Sequence, residues 1–255
     1  MLWSIAWDII WSVYEWKNIK TKNFPLFQSD CFFTDDSVLT IATAKTLIEG
    51  ILYDQTYRDF TLRYPGRWYG GNYIYWAEDS SAWPYNSFGN GSAMRVWPVG
   101  WFYDTLSETL VEARKSAEVT HNHPEGIKGA EATSSAIFLA RTGKTKEEIK
   151  RYIETEFWYN LSRKLDDIRQ IYEYDVTCQW SVPEAIIAFL ESHSFEDAIR
   201  NAISIGGDSD TIACITGSIA EAFYGGVPKD IKVRVLSMIP DEFREIIGKF
   251  EERRK

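Results

Sequence analysis

Two short segments bring together the residue types that could do chemistry. Thr34-Asp35-Asp36-Ser37 sets two carboxylates beside two hydroxyls, and Gly206-Gly207-Asp208-Ser209-Asp210-Thr211 repeats that chemistry after a double glycine. Asp8 and Glu15 form a third acidic pair, spaced to fall roughly on one face of a helix. Asp, Ser and Thr are common at helix starts, where they accept hydrogen bonds from free N–H groups and offset the helix dipole. Both segments carry more negative charge than a cap requires, and the double glycine permits a tight turn with close approach of a ligand. If the two helix starts converge, four carboxylates crowd one spot. Like charges that close raise one another's pKa unless a cation lies between them. Oxygen donors without His or Cys select Mg²⁺, Mn²⁺ or Ca²⁺. A pair of such ions can polarise hydroxyls and activate a water.

These segments need helices to hold them, and helical periodicity dominates the chain. It predicts helices over 2–14, 35–52, 100–118, 128–142, 145–156, 183–191, 195–204, 209–224 and 240–252. Helix starts are marked by the Asp residues before Ser37, by Thr145 before Glu147 and Glu148, and by Pro183 ahead of Glu184. The best strand candidate is short, Asn72 to Trp76. From Arg63 to Pro98 the chain reads as one long irregular segment rich in aromatic residues, with Gly70-Gly71-Asn72 and Gly89-Asn90-Gly91. Such segments are usually functional. No repeat or low-complexity linker divides the chain, so the expectation is a single all-α domain over residues 1–255.

Bulk properties narrow the function classes. The 255 residues, 45% hydrophobic and 25% charged, suit one sizeable folded core. A net charge of −9 argues against binding to bare nucleic acid, which needs a basic footprint. Cys31, Cys178 and Cys214 are odd in number and far apart, which suggests neither a disulfide framework nor a zinc knuckle and fits a reducing cytoplasm. The apolar N-terminus, Met1 to Trp16, lacks the basic start of a signal peptide and is too short to span a membrane. A buried core helix is the expectation there, with a membrane-surface helix as the alternative.

Five motifs in order give the chain a family resemblance. They are Asp8 with Ser12-Val13-Tyr14-Glu15; Phe33-Thr34-Asp35-Asp36-Ser37; Gly89-Asn90-Gly91-Ser92-Ala93-Met94-Arg95; Thr120-His121-Asn122-His123-Pro124; and Gly206 to Thr211. In this the chain resembles the ADP-ribosylglycohydrolases. The resemblance implies an all-α orthogonal helical bundle with two Mg²⁺ ions in a central cleft, Mn²⁺ being the alternative. It implies metal ligation by Thr34, Asp35 and Asp36 from one side and by Asp208, Asp210 and Thr211 from the other. Gly89, Asn90, Gly91, Ser92, Met94, Arg95 and His121 would bind the substrate, ADP-ribose or an ADP-ribosylated protein or small molecule. Glu15, Asp36 or Asp208 would manage the proton of the attacking water, and the residues leave that choice open. So are the leaving group and the oligomeric state. The implied reaction is hydrolysis at the anomeric carbon of the distal ribose. A non-catalytic ADP-ribose-binding or structural protein on the same fold is the alternative.

The chain departs from that pattern in its 11 tryptophans. Trp3, Trp7, Trp11, Trp68, Trp158 and Trp180 stand where the resemblance leads one to expect glycine, and Trp97 is a further case. Trp3, Trp7 and Trp11 would form one bulky helix stripe. Overpacking there would cost about 1–3 kcal/mol per site, and Trp11 could obstruct the cleft. Some genetic codes read UGA as glycine and others as tryptophan, so a gene of the first kind translated by the second would show this pattern. UGG codons at these positions would end that explanation. A genuinely Trp-rich variant and deliberate engineering are its rivals.

Overall fold

The computed structural model describes residues 2–13, 18–226 and 228–253. Among them the chain forms fifteen helical segments. They are α1 (Leu2–Trp11), α2 (Asp35–Glu49), α3 (Tyr53–Arg63), α4 (Gly71–Glu78), α5 (Gly91–Met94), α6 (Trp97–Phe102), α7 (Leu106–Glu118), α8 (Pro124–Arg141), α9 (Lys146–Phe157), α10 (Leu165–Ile171), α11 (Cys178–Leu190), α12 (Phe195–Ile205), α13 (Ser209–Tyr224), α14 (Lys229–Met238) and α15 (Asp241–Arg253). The described residues contain no strand, and an isolated antiparallel bridge joins Gly89 to Thr177. No described helix is long and apolar enough to cross a membrane.

The all-α expectation holds. Asn72 to Trp76 is not a strand: it lies in α4, where Tyr73, Trp76 and Ala77 are buried at i, i+3 and i+4. The predicted helix over 100–118 is two helices, α6 and α7, and Arg63 to Pro98 is less irregular than its composition suggests, since it contains α4 and α5. Pro183 lies inside α11 rather than ahead of it. Thr145 opens α9 with a reciprocal capping box to Glu148.

Three long helices, α2, α8 and α13, form the middle of the fold. On α13 every residue from Ser209 to Ala222 is buried, and α1, α8, α11 and α12 pack around it. A helix apolar or small on all sides must be covered on all sides. Small residues let its neighbours come close. Trp7 of α1 is fully buried, its indole stacks on Phe195 at 5.1 Å, and a Cβ at Gly217 would lie 2.2 Å from Trp7 Cδ1. The missing side chain at Gly217 thus makes room for the indole, and α1 packs against α13 despite it. The side chains of Trp3 and Trp11 fall outside what is described.

Candidate active site

Both acidic segments begin helices at one cleft. Asp35 and Asp36 open α2, and Asp208 stands at the N-cap of α13 with Asp210 in its first turn. Gly206 and Gly207 both have positive φ (73° and 74°), which the turn into α13 requires and glycine adopts without strain. The cavity these helix starts border has a volume of about 320 Å³, at the small end for ligand sites. Asp35, Asp36, Gly89, Asn90, Gly91, Met94, Arg95, His121, Asp208, Asp210 and Thr211 line it.

Asp36 is the most confined of the carboxylates. Its side chain is buried, Oδ1 has no hydrogen-bond partner, and its pKa is pushed well above the ordinary value. Burial is the main cause, followed by the charges of Asp210, Asp35, Asp8 and Asp208. An orphaned carboxylate oxygen among like charges suits a hard divalent cation, although the buried Cys214 thiol also lies beside Asp36. Among the described residues no group of three or more His, Cys, Asp or Glu is gathered closely enough to hold an ion as it stands. The carboxylates share a cavity rather than a closed cage.

Asp8 has a different role from the other acids. From α1 it accepts hydrogen bonds from Thr34 N (2.8 Å) and Ser37 N (3.2 Å), and from the hydroxyls of both residues. It therefore caps α2 across the helix interface, whereas the N-cap residue Thr34 makes no side-chain cap. Burial raises its pKa to about 6, against the hydroxyl and amide donors that hold it down. Thr34 does not border the cavity; its hydroxyl proton goes to Asp8, and the oxygen keeps lone pairs.

Opposite the acids, a chain of hydrogen bonds fixes His121. Arg95 Nη2 donates to Thr120 Oγ1 (2.9 Å) and to Ser116 O (2.8 Å). Thr120 Oγ1 and His121 Nδ1 are hydrogen-bonded at 2.7 Å. Burial first, and then the Arg95 charge, depress the His121 pKa well below the usual histidine value, so the ring is neutral. A Cβ at Gly91 would stand 3.2 Å from His121 Nε2, so the glycine leaves the ring room at the cavity wall. Arg95 is fully buried against the Tyr57 ring, 4.4 Å from its centroid, and its Nε and Nη1 have no partner.

Asn90 ties the two halves together. Its Nδ2 donates to Asp208 Oδ2 (2.6 Å) and to Ser181 Oγ (2.9 Å), and its N–H to Val176 O (2.8 Å). Ser92 does not border the cavity; its hydroxyl donates to Gly126 O at 2.6 Å behind it. Glu15 lies outside the described residues. Tyr85, Tyr174 and Val176, none of them a candidate from the sequence, also line the cavity, together with Leu39, Trp68, Gly70, Gly71, Asn72, Tyr73 and Ser87. Tyr85 lies in the segment already singled out as functional. Nothing in the sequence marked 174–176.

The fold is that of a known class of all-α proteins. The family model of the ADP-ribosylglycohydrolases matches residues 11–255, and the chain belongs to that family. Its relatives include ADP-ribosylhydrolase ARH3 of Mus musculus, 25% identical over 87% of this chain and 74% of the mouse protein. ARH3 of Homo sapiens is 26% identical over 65% of this chain, which spans 55% of the human protein's length. ADP-ribosylarginine hydrolase Tri1 of Pseudomonas putida is 27% identical over 78% of this chain and 61% of that protein. A solved structure described as an ADP-ribosylglycohydrolase-related protein complex superposes with a TM-score of 0.73 over all of this chain and 96% of the other, at 22% identity. That likeness establishes the fold.

Proposed function

We propose that this protein hydrolyses the bond joining ADP-ribose to a modified target, releasing ADP-ribose, with divalent cations in the acidic cleft. The observation that carries this reading is the meeting of two acidic helix starts, around an orphaned Asp36 oxygen, opposite a neutral His121. Asp35, Asp36, Asp208, Asp210 and Thr211 would hold two Mg²⁺ ions, with the Thr34 oxygen at the edge of that set. When bound, such ions would polarise ribose hydroxyls and lower the pKa of a water.

The chain's own residues supply the rest. Carboxylates around the cleft favour positive charge developing at the anomeric carbon. His121 lines the cleft, where its neutral ring can hydrogen-bond a substrate hydroxyl. The buried Arg95 guanidinium gives the wall a positive charge that would favour an anionic diphosphate nearby. Asn90 holds Asp208 in place. Asp36, Asp208 or Glu15 would accept the proton of the attacking water.

Calorimetric titration of ADP-ribose, first with Mg²⁺ and then with EDTA, tests the cleft. Binding that needs the metal is expected, and Asp208→Ala or Asp36→Ala should abolish turnover of ADP-ribosylated substrates with the helical spectrum intact. Full activity in either variant would remove the metal-site assignment. Binding without release of ADP-ribose from any arginine-, serine- or nucleic-acid-linked substrate would favour the non-catalytic reading, for which the indole of Trp68 in the cleft wall is the argument.

A further inference from the structure

Three described residues other than glycine hold a positive φ: Trp68 (67°), Asn86 (54°) and Trp158 (55°). Asparagine visits this left-handed region because its short polar side chain can hydrogen-bond locally. Tryptophan has no such help, and its Cβ crowds the neighbouring carbonyl. Trp158 is the C-cap of α9, the place where a left-handed residue ends a helix and glycine is the usual occupant. Its side chain is 86% exposed, so little packing offsets the strain. Trp68 directly follows Arg67, whose carbonyl accepts from Asp35 N at 2.7 Å. The indole of Trp68 meets Phe32 edge-on at 4.7 Å and borders the cleft beside Asp35.

We infer that the backbone at positions 68 and 158 is built for glycine, and that at 68 the indole forms a lip narrowing the cleft on its Asp35 side. The first half stands on backbone geometry alone; the second rests on the ADP-ribose reading given above. Trp180 supplies the contrast. It was singled out by the same sequence pattern and is 54% exposed, but it lies within α11 and is absent from the positive-φ residues.

The test compares Trp68→Gly, Trp158→Gly and Trp180→Gly with the parent chain by thermal unfolding without ligand. Relief of left-handed strain should raise the midpoint by roughly 2–4 °C at positions 68 and 158. Glycine inside α11 should lower it. A fall at both 68 and 158 overturns the inference, and so does an equal rise at all three, which would mean only that exposed indoles destabilise. ADP-ribose is then titrated with Mg²⁺. Several-fold tighter binding by Trp68→Gly, with Trp158→Gly unchanged, supports the lip, and unchanged affinity in Trp68→Gly removes it. If none of the four chains binds ADP-ribose, the proposed function and the lip both fail, while the melting comparison still decides the glycine assignment.

Discussion

Asp8 shows how one side chain can serve the site without entering it. Four donors from the start of α2 converge on its carboxylate. An amide in its place keeps one acceptor oxygen and turns an NH₂ toward the remaining donors. Asp8→Asn should therefore destabilise the fold by about 1–3 kcal/mol, the cost of leaving buried donors without an acceptor, as measured by urea unfolding. It should also misplace Asp35 and Asp36 and weaken metal-dependent binding. Loss of binding with undiminished stability would mean that Asp8 ligates the metal instead of capping α2. In sequence Asp8 pairs with Glu15 as an acid on one helix face; only the fold reveals a cap supplied from another helix, because nothing in spacing along the chain shows which helix start a distant carboxylate meets.

At the scale of elements, the acidic starts of α2 and α13 were legible because Asp, Ser, Thr and double glycine have local reasons to stand there. Helices α3 and α4 were not read. Their buried residues do follow helical spacing, Tyr53, Thr56, Tyr57, Phe60 and Thr61 in α3, but β-branched and aromatic types obscure the period. Tyr174 and Val176 belong to a non-helical stretch with no period to read. The link between Lys20 and the site is likewise invisible in sequence. Lys20 Nζ donates to Ile205 O (2.6 Å) and Tyr172 O (2.7 Å), closing the C-terminal ends of α12 and α10, and its chain packs on Gly206. A cation at helix C-termini offsets their dipoles. Lys20→Met should lower the melting midpoint by a few degrees. It should also weaken ADP-ribose binding by loosening the turn that presents Asp208. Unchanged binding beside a lowered midpoint would confine Lys20 to holding the helix ends.

For the molecule as a whole, crowding of buried acids predicts an unusual pH profile. Asp8 and Asp36 both have pKa values raised in the folded state, Asp8 from 3.8 to about 6. Their contribution to stability is complete below the unfolded value and is lost as pH rises through the folded one. For Asp8 that loss is on the order of 3 kcal/mol between about pH 4 and pH 6. In EDTA the melting midpoint should fall across this window, and Asp36→Asn should flatten the fall. Mg²⁺ should restore the midpoint at neutral pH if it neutralises the cluster. A midpoint that rises steadily from pH 4 to pH 7 in EDTA would contradict this arrangement of charge.

The cross-helix cap also bears on how the chain acquires its shape. Asp8 leaves the ribosome well before Asp208 and Asp210, which follow it along the chain in the other side of the cleft. Contacts between such distant parts of a chain form late and slowly. The N-terminal half of the cleft can be organised early, as α1 docks on α2, but α13 must then arrive between surfaces already in place. Nascent chains shorter than α13 would thus carry a preformed acidic edge with no second side.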